Sequence, residues 1–101
     1  MTLAASLVLG VIGCAATPET ILATYGDPDA IYEAAGDQGR LYPWGVRPEY
    51  DWPKRHVLVW YYLERDIAVS IDRGKVVECG PIDPERRESI LKVLAWYGKA
   101  P

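Results

Sequence analysis

Histidine and cysteine are scarce in this sequence of 101 residues, which contains one histidine and two cysteines. It has no Cys-x-x-Cys pair and no Cys/His grouping, so a zinc site is not expected. The net charge is −3, and nucleic acid is not an expected partner because duplex binding normally needs a basic face. Four Trp and seven Tyr, together with ordinary aliphatic content, indicate one folded domain rather than a disordered chain.

The few reactive side chains form no recognisable catalytic motif. No nucleophile elbow or catalytic-cysteine context surrounds the candidate nucleophiles, which are Ser70, Ser89 and Cys79. His56 is interpreted as a residue at the start of a strand. Asp27-Pro28-Asp29 and Asp83-Pro84-Glu85 resemble turns or helix starts, where capping explains the acidic pairs. Gly36–Gly39 lacks the spacing and the lysine of a phosphate loop. The sequence therefore predicts no enzyme activity, no cofactor and no metal.

Charge is absent from the first eighteen residues, and all 25 charged side chains fall at or after Glu19. The first sixteen residues read MTLAASLVLGVIGCAA. As a helix they would span roughly 24 Å, short of the ~30 Å hydrocarbon core of a bilayer. Their length and composition suit the apolar core of a secretory signal, although no Lys or Arg precedes them. Residues 1–13 are interpreted as a lipoprotein signal segment and residues 14–101 as a single domain.

The apolar run ends in Val11-Ile12-Gly13-Cys14, which resembles a bacterial lipobox. In that motif the cysteine thiol forms a thioether to diacylglycerol, and each buried acyl CH₂ contributes about 0.8 kcal/mol to membrane binding. Cys14 is the predicted lipidation site, and the predicted location is the bacterial cell envelope, facing the periplasm or in the outer membrane. The alternative is a soluble regulatory or binding domain whose apolar N-terminus packs into the fold. Cys14 is then a small buried hydrophobe or is disulfide-bonded to Cys79.

Two helices begin with the same order of cap, proline and acid. Thr17-Pro18-Glu19 starts a helix that ends before Gly26, and Asp83-Pro84-Glu85 starts a second helix from about Pro84 to Tyr97. In the second helix, four residues are expected to point inward: Ile90, Leu91, Leu94 and Tyr97. Four others are expected to point outward: Arg86, Arg87, Glu88 and Lys92.

Three segments between residues 56 and 79 predict an antiparallel meander. His56–Leu63 is β-branched and aromatic, and Ile67–Asp72 alternates between apolar and polar residues. Lys75–Cys79 follows the two-residue Arg73-Gly74 turn.

The rest of the chain adds a short strand at Ala30–Ala34 and two loops. One loop is expected at 36–39, and the other at 41–53, where three prolines disfavour both a helix and a central strand. The predicted fold is α+β, with a three- or four-stranded antiparallel sheet packed against a short N-terminal helix and a longer C-terminal helix.

Aromatic residues concentrate in one stretch, since seven of the eleven lie between Tyr42 and Tyr62. Those before residue 54 lie among prolines and basic residues, a composition typical of binding hot spots. The predicted partner-binding residues are Tyr42, Trp44, Arg47, Tyr50 and Trp52. Two alternatives stay open: the rings fold back over the sheet as core, or they contact glycan or lipid.

Several segments taken together are similar to one known family. They are the helix at 18–25, Tyr25-Gly26-Asp27-Pro28-Asp29, the strand Val59-Trp60-Tyr61-Tyr62 and the hairpin from Val69 to Val77. They resemble the SmpA/OmlA (BamE-like) lipoprotein domain, with its helix, Leu-Gly-x-Pro turn, Trp-x-Tyr strand and Gly-Lys-Val hairpin. The resemblance covers roughly residues 14–79; Tyr25 replaces the usual Leu, and the proline-rich insertion and the C-terminal helix depart from the pattern.

The resemblance implies an envelope lipoprotein that binds other proteins and performs no catalysis. Together with the lipobox, it predicts a non-catalytic, lipid-anchored cell-envelope protein that acts as a protein-binding or scaffold module. Its expected partners are the membrane, through the lipid anchor, and a protein of the envelope.

Overall fold

The structure, a computed structural model, describes residues 17–35, 38–46 and 57–99. In chain order these residues form the following elements: helix α1 (Pro18–Tyr25), strands β1 (Ala30–Ala35), β2 (Gln38–Pro43), β3 (Val57–Tyr62), β4 (Ile67–Asp72) and β5 (Lys75–Gly80), and helix α2 (Pro84–Trp96). The strands form one antiparallel sheet in the order β2-β1-β3-β4-β5. The predicted α+β class is confirmed, but the sheet has five strands where three or four were predicted.

Both ends of α1 follow from its local sequence. The Thr17 hydroxyl oxygen accepts a hydrogen bond from the Thr20 backbone N–H at 3.2 Å, and Pro18 occupies the first turn, where its missing N–H needs no partner. At the other end Gly26 has a φ of +80°, which glycine adopts without steric cost, and its N–H donates to the Leu22 carbonyl oxygen at 2.8 Å. The predicted helix is confirmed.

The β4–β5 hairpin also forms as its sequence predicts. Arg73 and Gly74 form the two-residue turn with φ values of +51° and +84°, the left-handed pair that a tight hairpin turn requires. The register shifts within the ladder, so that Val77 becomes the extra residue of a β-bulge and is 58% exposed. β5 runs to Gly80, one residue beyond its predicted end.

Strand β2 corrects the sequence prediction, which assigned residues 36–39 and 41–53 to loops. Residues 38–43 instead pair with β1, and the register places Leu41 opposite Tyr32 and Tyr42 opposite Ile31. Pro43 lies at the end of this edge strand, where a missing N–H removes no ladder hydrogen bond. Prolines disfavour strand formation only at their own positions. The pairing offered by the free edge of β1 outweighs this local effect.

The sheet separates two apolar clusters, one on each face. On one face Ile21 of α1 packs against the strands. The sheet residues of that cluster are Ile31, Tyr42, Leu58, Trp60, Tyr62, Val69 and Ile71. On the opposite face Ile90 and Leu94 of α2 pack against Ala30 and Tyr61, together with Ile82. The fold therefore has three layers, and packing on the sheet stabilises an α1 too short to form alone.

Helix α2 buries a narrower stripe than its periodicity predicts. Ile90 is fully buried and Leu94 is 4% exposed, as expected. Leu91 and Tyr97, however, are 40% and 46% exposed, so the prediction that they point inward is wrong. Residues four apart share one face of a helix, and Ile90 and Leu94 are the two residues through which α2 joins the buried cluster on this face of the sheet.

The two arginines of α2 were predicted to point outward, but both are half-buried. The guanidinium carbon of Arg86 lies 4.7 Å from the Tyr32 ring centroid and 6.0 Å from that of Tyr61. Arg87 contacts the turn between β3 and β4. The prediction fails because the guanidinium groups find partners on the fold: aromatic rings of the sheet for Arg86, and a carbonyl oxygen and a carboxylate of the β3–β4 turn for Arg87.

Among residues 17–35, 38–46 and 57–99, no helix is both long and apolar enough to cross a membrane. The predicted signal segment at 1–13 and Cys14 lie outside these ranges. The division of the chain after residue 13 therefore stays a prediction.

Candidate functional site: a groove beside the β3–β4 turn

A groove opens where the C-terminal end of α1 meets the turn between β3 and β4. Its volume is about 530 Å³. The side chains that line it are aromatic, charged and aliphatic: Tyr25, Asp27, Asp29, Tyr62, Leu63, Glu64, Arg65 and Arg87. A space of this size is in the range of sites that hold small ligands or a few side chains of a peptide.

Two tyrosine rings form the aromatic wall of the groove. Tyr25 at the end of α1 and Tyr62 at the end of β3 meet edge to face, with centroids 5.6 Å apart and ring planes at 60°. The Tyr62 hydroxyl donates to the Gly26 carbonyl oxygen at 2.9 Å and ties α1 to the sheet. Burial raises the pKa of Tyr62 well above its ordinary value, and the Asp27 and Asp29 carboxylates raise it further. The phenol therefore stays protonated, and keeps its donor, into the alkaline range.

Charged side chains fix the turn that borders the groove. Asp29 Oδ2 accepts a hydrogen bond from the Leu63 backbone N–H at 2.7 Å. From the first turn of α2, Arg87 Nη2 donates to the Leu63 carbonyl oxygen at 2.9 Å and to Asp66 Oδ1 at 2.8 Å. Three segments that are distant in the sequence thus meet at Leu63. Arg87 is engaged in holding this turn in place.

A basic side chain already lies over the aromatic wall. The guanidinium carbon of Arg65 is 4.7 Å from the Tyr25 ring centroid, a cation–π distance. Arg65 itself is exposed, as are the neighbouring carboxylates of Asp27 and Glu64. The Tyr25 ring, with acidic groups beside it, is therefore suited to a group that combines positive charge with apolar surface.

The chemical groups that line the groove are phenols, carboxylates, guanidinium groups and one aliphatic side chain. None of the residues that line it carries a thiol, an imidazole or an aliphatic hydroxyl. Within the described part of the chain, no three His, Cys, Asp or Glu side chains lie close enough together to hold a metal ion. What the groove offers a ligand is aromatic surface, hydrogen-bond acceptors and charge.

Of the five predicted partner-binding residues, the structure describes Tyr42 and Trp44. Both pack in the apolar cluster on the face of the sheet that α1 covers. Tyr42 is 4% exposed, and its hydroxyl donates to Oε1 of the buried Glu33 at 2.9 Å. Trp44 is half-buried and packs edge to face on Trp60, with centroids 5.3 Å apart and ring planes at 80°. Tyr42 therefore has little surface left for a partner, and Trp44 has only part of its ring.

The remaining predicted site residues lie outside the described ranges. They are Arg47, Tyr50 and Trp52 of the partner-binding set and the lipidation site Cys14, and His56 is outside as well. Their predicted roles stay predictions.

Sequence reasoning does not find the groove, because its lining comes from residues 25–29, 62–65 and 87. The Asp27-Pro28-Asp29 pattern predicts a turn, but nothing in it indicates that Asp29 binds the backbone of Leu63 across the fold. The helical pattern of α2 places Arg87 in solvent. No local signal in the sequence joins these three segments.

Comparison with known proteins identifies no relative, since no family model, no curated protein and no solved structure matches the chain. The fold and the groove define a small α+β domain with an aromatic and charged cleft. The resemblance to SmpA/OmlA lipoproteins stays a prediction.

Proposed function

We propose that this chain is a non-catalytic, lipid-anchored protein of the bacterial cell envelope that acts as a protein-binding module, and that the groove holds the partner. The observation that carries the proposal is the groove itself, a space of about 530 Å³ with two tyrosines on its wall and charges of both signs at its rim. Tyrosine and arginine are enriched among the residues that dominate binding energy in protein interfaces.

The groove is preorganised for binding. Tyr62 fixes the end of α1, Asp29 fixes the backbone of Leu63, and Arg87 fixes the same turn from α2. A ligand that enters therefore has little of the wall left to order. Preorganisation lowers the entropic cost of association and so raises affinity for a given contact area.

The charge around the groove favours a partner segment with a basic side chain. Asp27 and Glu64 are exposed at the rim, whereas Arg65 stacks on Tyr25 and Arg87 binds the turn. A basic group from a partner can pair with the two exposed carboxylates and compete with Arg65 for the Tyr25 ring.

The predicted anchor would hold the folded domain at the membrane surface, because the anchor lies next to the domain in the sequence. Cys14 precedes Thr17, the N-cap of α1, by three residues. Such a segment spans at most about 11 Å when fully extended. Acyl chains on Cys14 would therefore hold the domain close against the bilayer.

The anchor is tested by the mass of the N-terminus of the full chain expressed in a bacterium. We expect a species that begins at Cys14 and carries diacylglycerol, and we expect the Cys14→Ser variant to lack it. A retained Met1 with a free Cys14 thiol would contradict the envelope proposal.

The binding role is tested by placing a photo-crosslinking side chain at position 64, at the rim of the groove, in the full chain. The matched control is position 78 on β5, where another exposed glutamate lies. We expect a defined protein adduct from position 64 that is lost in the Tyr25→Ala variant. Identical adducts from both positions, or an adduct indifferent to Tyr25, would refute the groove as the binding site.

A further inference from the structure

The C-terminal end of α2 exposes two aromatic rings. Trp96, the last residue of the helix, is 86% exposed, and Tyr97 is 46% exposed. A packed aromatic side chain buries roughly 150–250 Å², so a tryptophan left almost wholly in water forgoes a large gain. The fold does not require Trp96, because α2 packs through Ile90 and Leu94. This ring is available for a contact outside the domain.

Basic side chains accompany these rings. Lys92 precedes Trp96 by four residues and so lies on the same side of the helix. Lys99 follows Tyr97, and both lysines are exposed. From Ser89 to the end of the chain the sequence has these two lysines and no acidic side chain. The acidic residues of α2, Glu85 and Glu88, therefore lie in its first half, whereas Lys92 and Lys99 flank the exposed rings without an acidic side chain between them.

We propose that this end of α2 inserts into the headgroup region of an anionic phospholipid bilayer and orients the anchored domain on it. The amphipathic rings of Trp and Tyr favour the level of the headgroups, and lysines beside them bind anionic lipid. The inference rests on the proposed function, because the acyl chains at Cys14 bring the domain to the bilayer.

The size of the exposed surface favours a bilayer over a second protein. The large exposed apolar side chains of this end are Leu91, Trp96 and Tyr97. A stable protein interface buries about 800 Å² on each partner, more than a few side chains supply. Membrane contact needs only a few rings and an adjacent positive charge, since the anchor has already removed the cost of bringing the two surfaces together.

The N-terminal end of α1 and the C-terminal end of α2 both lie away from the β3–β4 turn. α1 ends at the β3–β4 turn, where Tyr62 binds Gly26, and α2 begins there, where Arg87 binds the same turn. Thr17 and Trp96 each lie one helix length from that turn, about 12 Å and about 20 Å respectively at 1.5 Å per residue. The anchored end of α1 and the aromatic end of α2 thus both point away from the groove.

The insertion of Trp96 is tested with the full chain held by its own anchor in vesicles of phosphatidylcholine and phosphatidylglycerol. Lipids brominated near the headgroup quench a tryptophan that lies at that depth, and the difference between wild type and Trp96→Phe isolates the signal of Trp96. The substitution leaves the fold intact because surface changes of this kind alter stability by about 0.5 kcal/mol or less. We expect quenching of Trp96 by brominated lipid and loss of its accessibility to acrylamide in water.

The charge requirement is tested with the unacylated Cys14→Ser chain and excess vesicles. We expect Lys92→Ala and Lys99→Ala each to weaken partitioning into phosphatidylglycerol vesicles about fivefold, which corresponds to about 1 kcal/mol per lysine near an anionic surface. Lys75→Ala is the matched control, because Lys75 is exposed on β5, at the sheet edge opposite the β2 strand against which α2 packs. It should change partitioning little, and pure phosphatidylcholine should remove the lysine effects.

Three outcomes distinguish membrane contact by the C-terminal end of α2 from lipid attachment at Cys14. If the chain floats with vesicles while Trp96 stays open to acrylamide and is not quenched by brominated lipid, the inference is overturned and the anchor stands. If the chain carries no lipid on Cys14 but Trp96 is still quenched in excess phosphatidylglycerol, the anchor is wrong and the surface contact stands. A chain that neither carries lipid nor binds vesicles overturns both.

Discussion

Replacing Ile90 by alanine is expected to remove a large share of the free energy of unfolding of this domain. Ile90 is fully buried in the cluster between α2 and the sheet, where Tyr61, Ile82 and Leu94 are its partners. The change deletes about three buried methyl or methylene groups at about 0.8 kcal/mol each, or about 2.4 kcal/mol. The cavity left behind adds to this, and we expect a loss of about 3 kcal/mol.

Urea denaturation and a separate thermal denaturation of the full chain, both followed by circular dichroism, measure this loss. A domain of this size has about 5–10 kcal/mol to lose, and each kcal/mol moves Tm by about 4–8 °C, so a fall of about 12–24 °C is expected. Leu91→Ala is the matched control, because it deletes similar apolar volume from the next residue of the same helix, which is 40% exposed. We expect it to cost less than about 1 kcal/mol.

The comparison of the two variants decides which side of α2 faces the sheet. A loss at Leu91 equal to or larger than the loss at Ile90 would show that the helix is rotated toward the face that its sequence periodicity predicts. The burial of Ile90 and Leu94 as the contact stripe, and with it the exposure of the C-terminal end of α2, would then be wrong.

Three further perturbations test other contacts of the fold. Tyr42→Phe removes the hydrogen bond to the buried Glu33 carboxyl group and should cost about 1–3 kcal/mol in urea; a cost near zero would show that this bond is not formed. Gly39→Ala places a methyl group against the ring and hydroxyl of Tyr32, and displacement of that ring should lower stability by about 1–3 kcal/mol, whereas an unchanged midpoint would argue against the β1–β2 register. The raised pKa of Tyr62 means that the folded chain binds this proton more tightly than the unfolded chain. Its stabilising contribution is therefore complete below about pH 10 and decreases as the pH rises above that value, so an alkaline denaturation series should show a steeper loss in wild type than in Tyr62→Phe.

The sequence by itself determined the elements whose causes are local. A hydroxyl cap, a proline in the first turn and a glycine at the end set the limits of α1, and each of these acts within a few residues. The same holds for the Arg73-Gly74 turn and for the alternation along β4, which together fixed the β4–β5 hairpin and its place in the meander. Backbone conformation and hydrogen bonding over one turn are short-range properties, and the residue types reveal them directly.

The tertiary structure alone decided which elements meet. β2 exists because β1 offers a free edge. The proline content of a segment carries no information about the strand with which that segment can pair. Leu91 is exposed and Arg86 is half-buried because the sheet presents aromatic rings there, which the helical period of α2 does not encode. The groove arises where the end of α1, the β3–β4 turn and the start of α2 converge. Such long-range contacts depend on the geometry of the whole fold, and so the candidate site could be found only there.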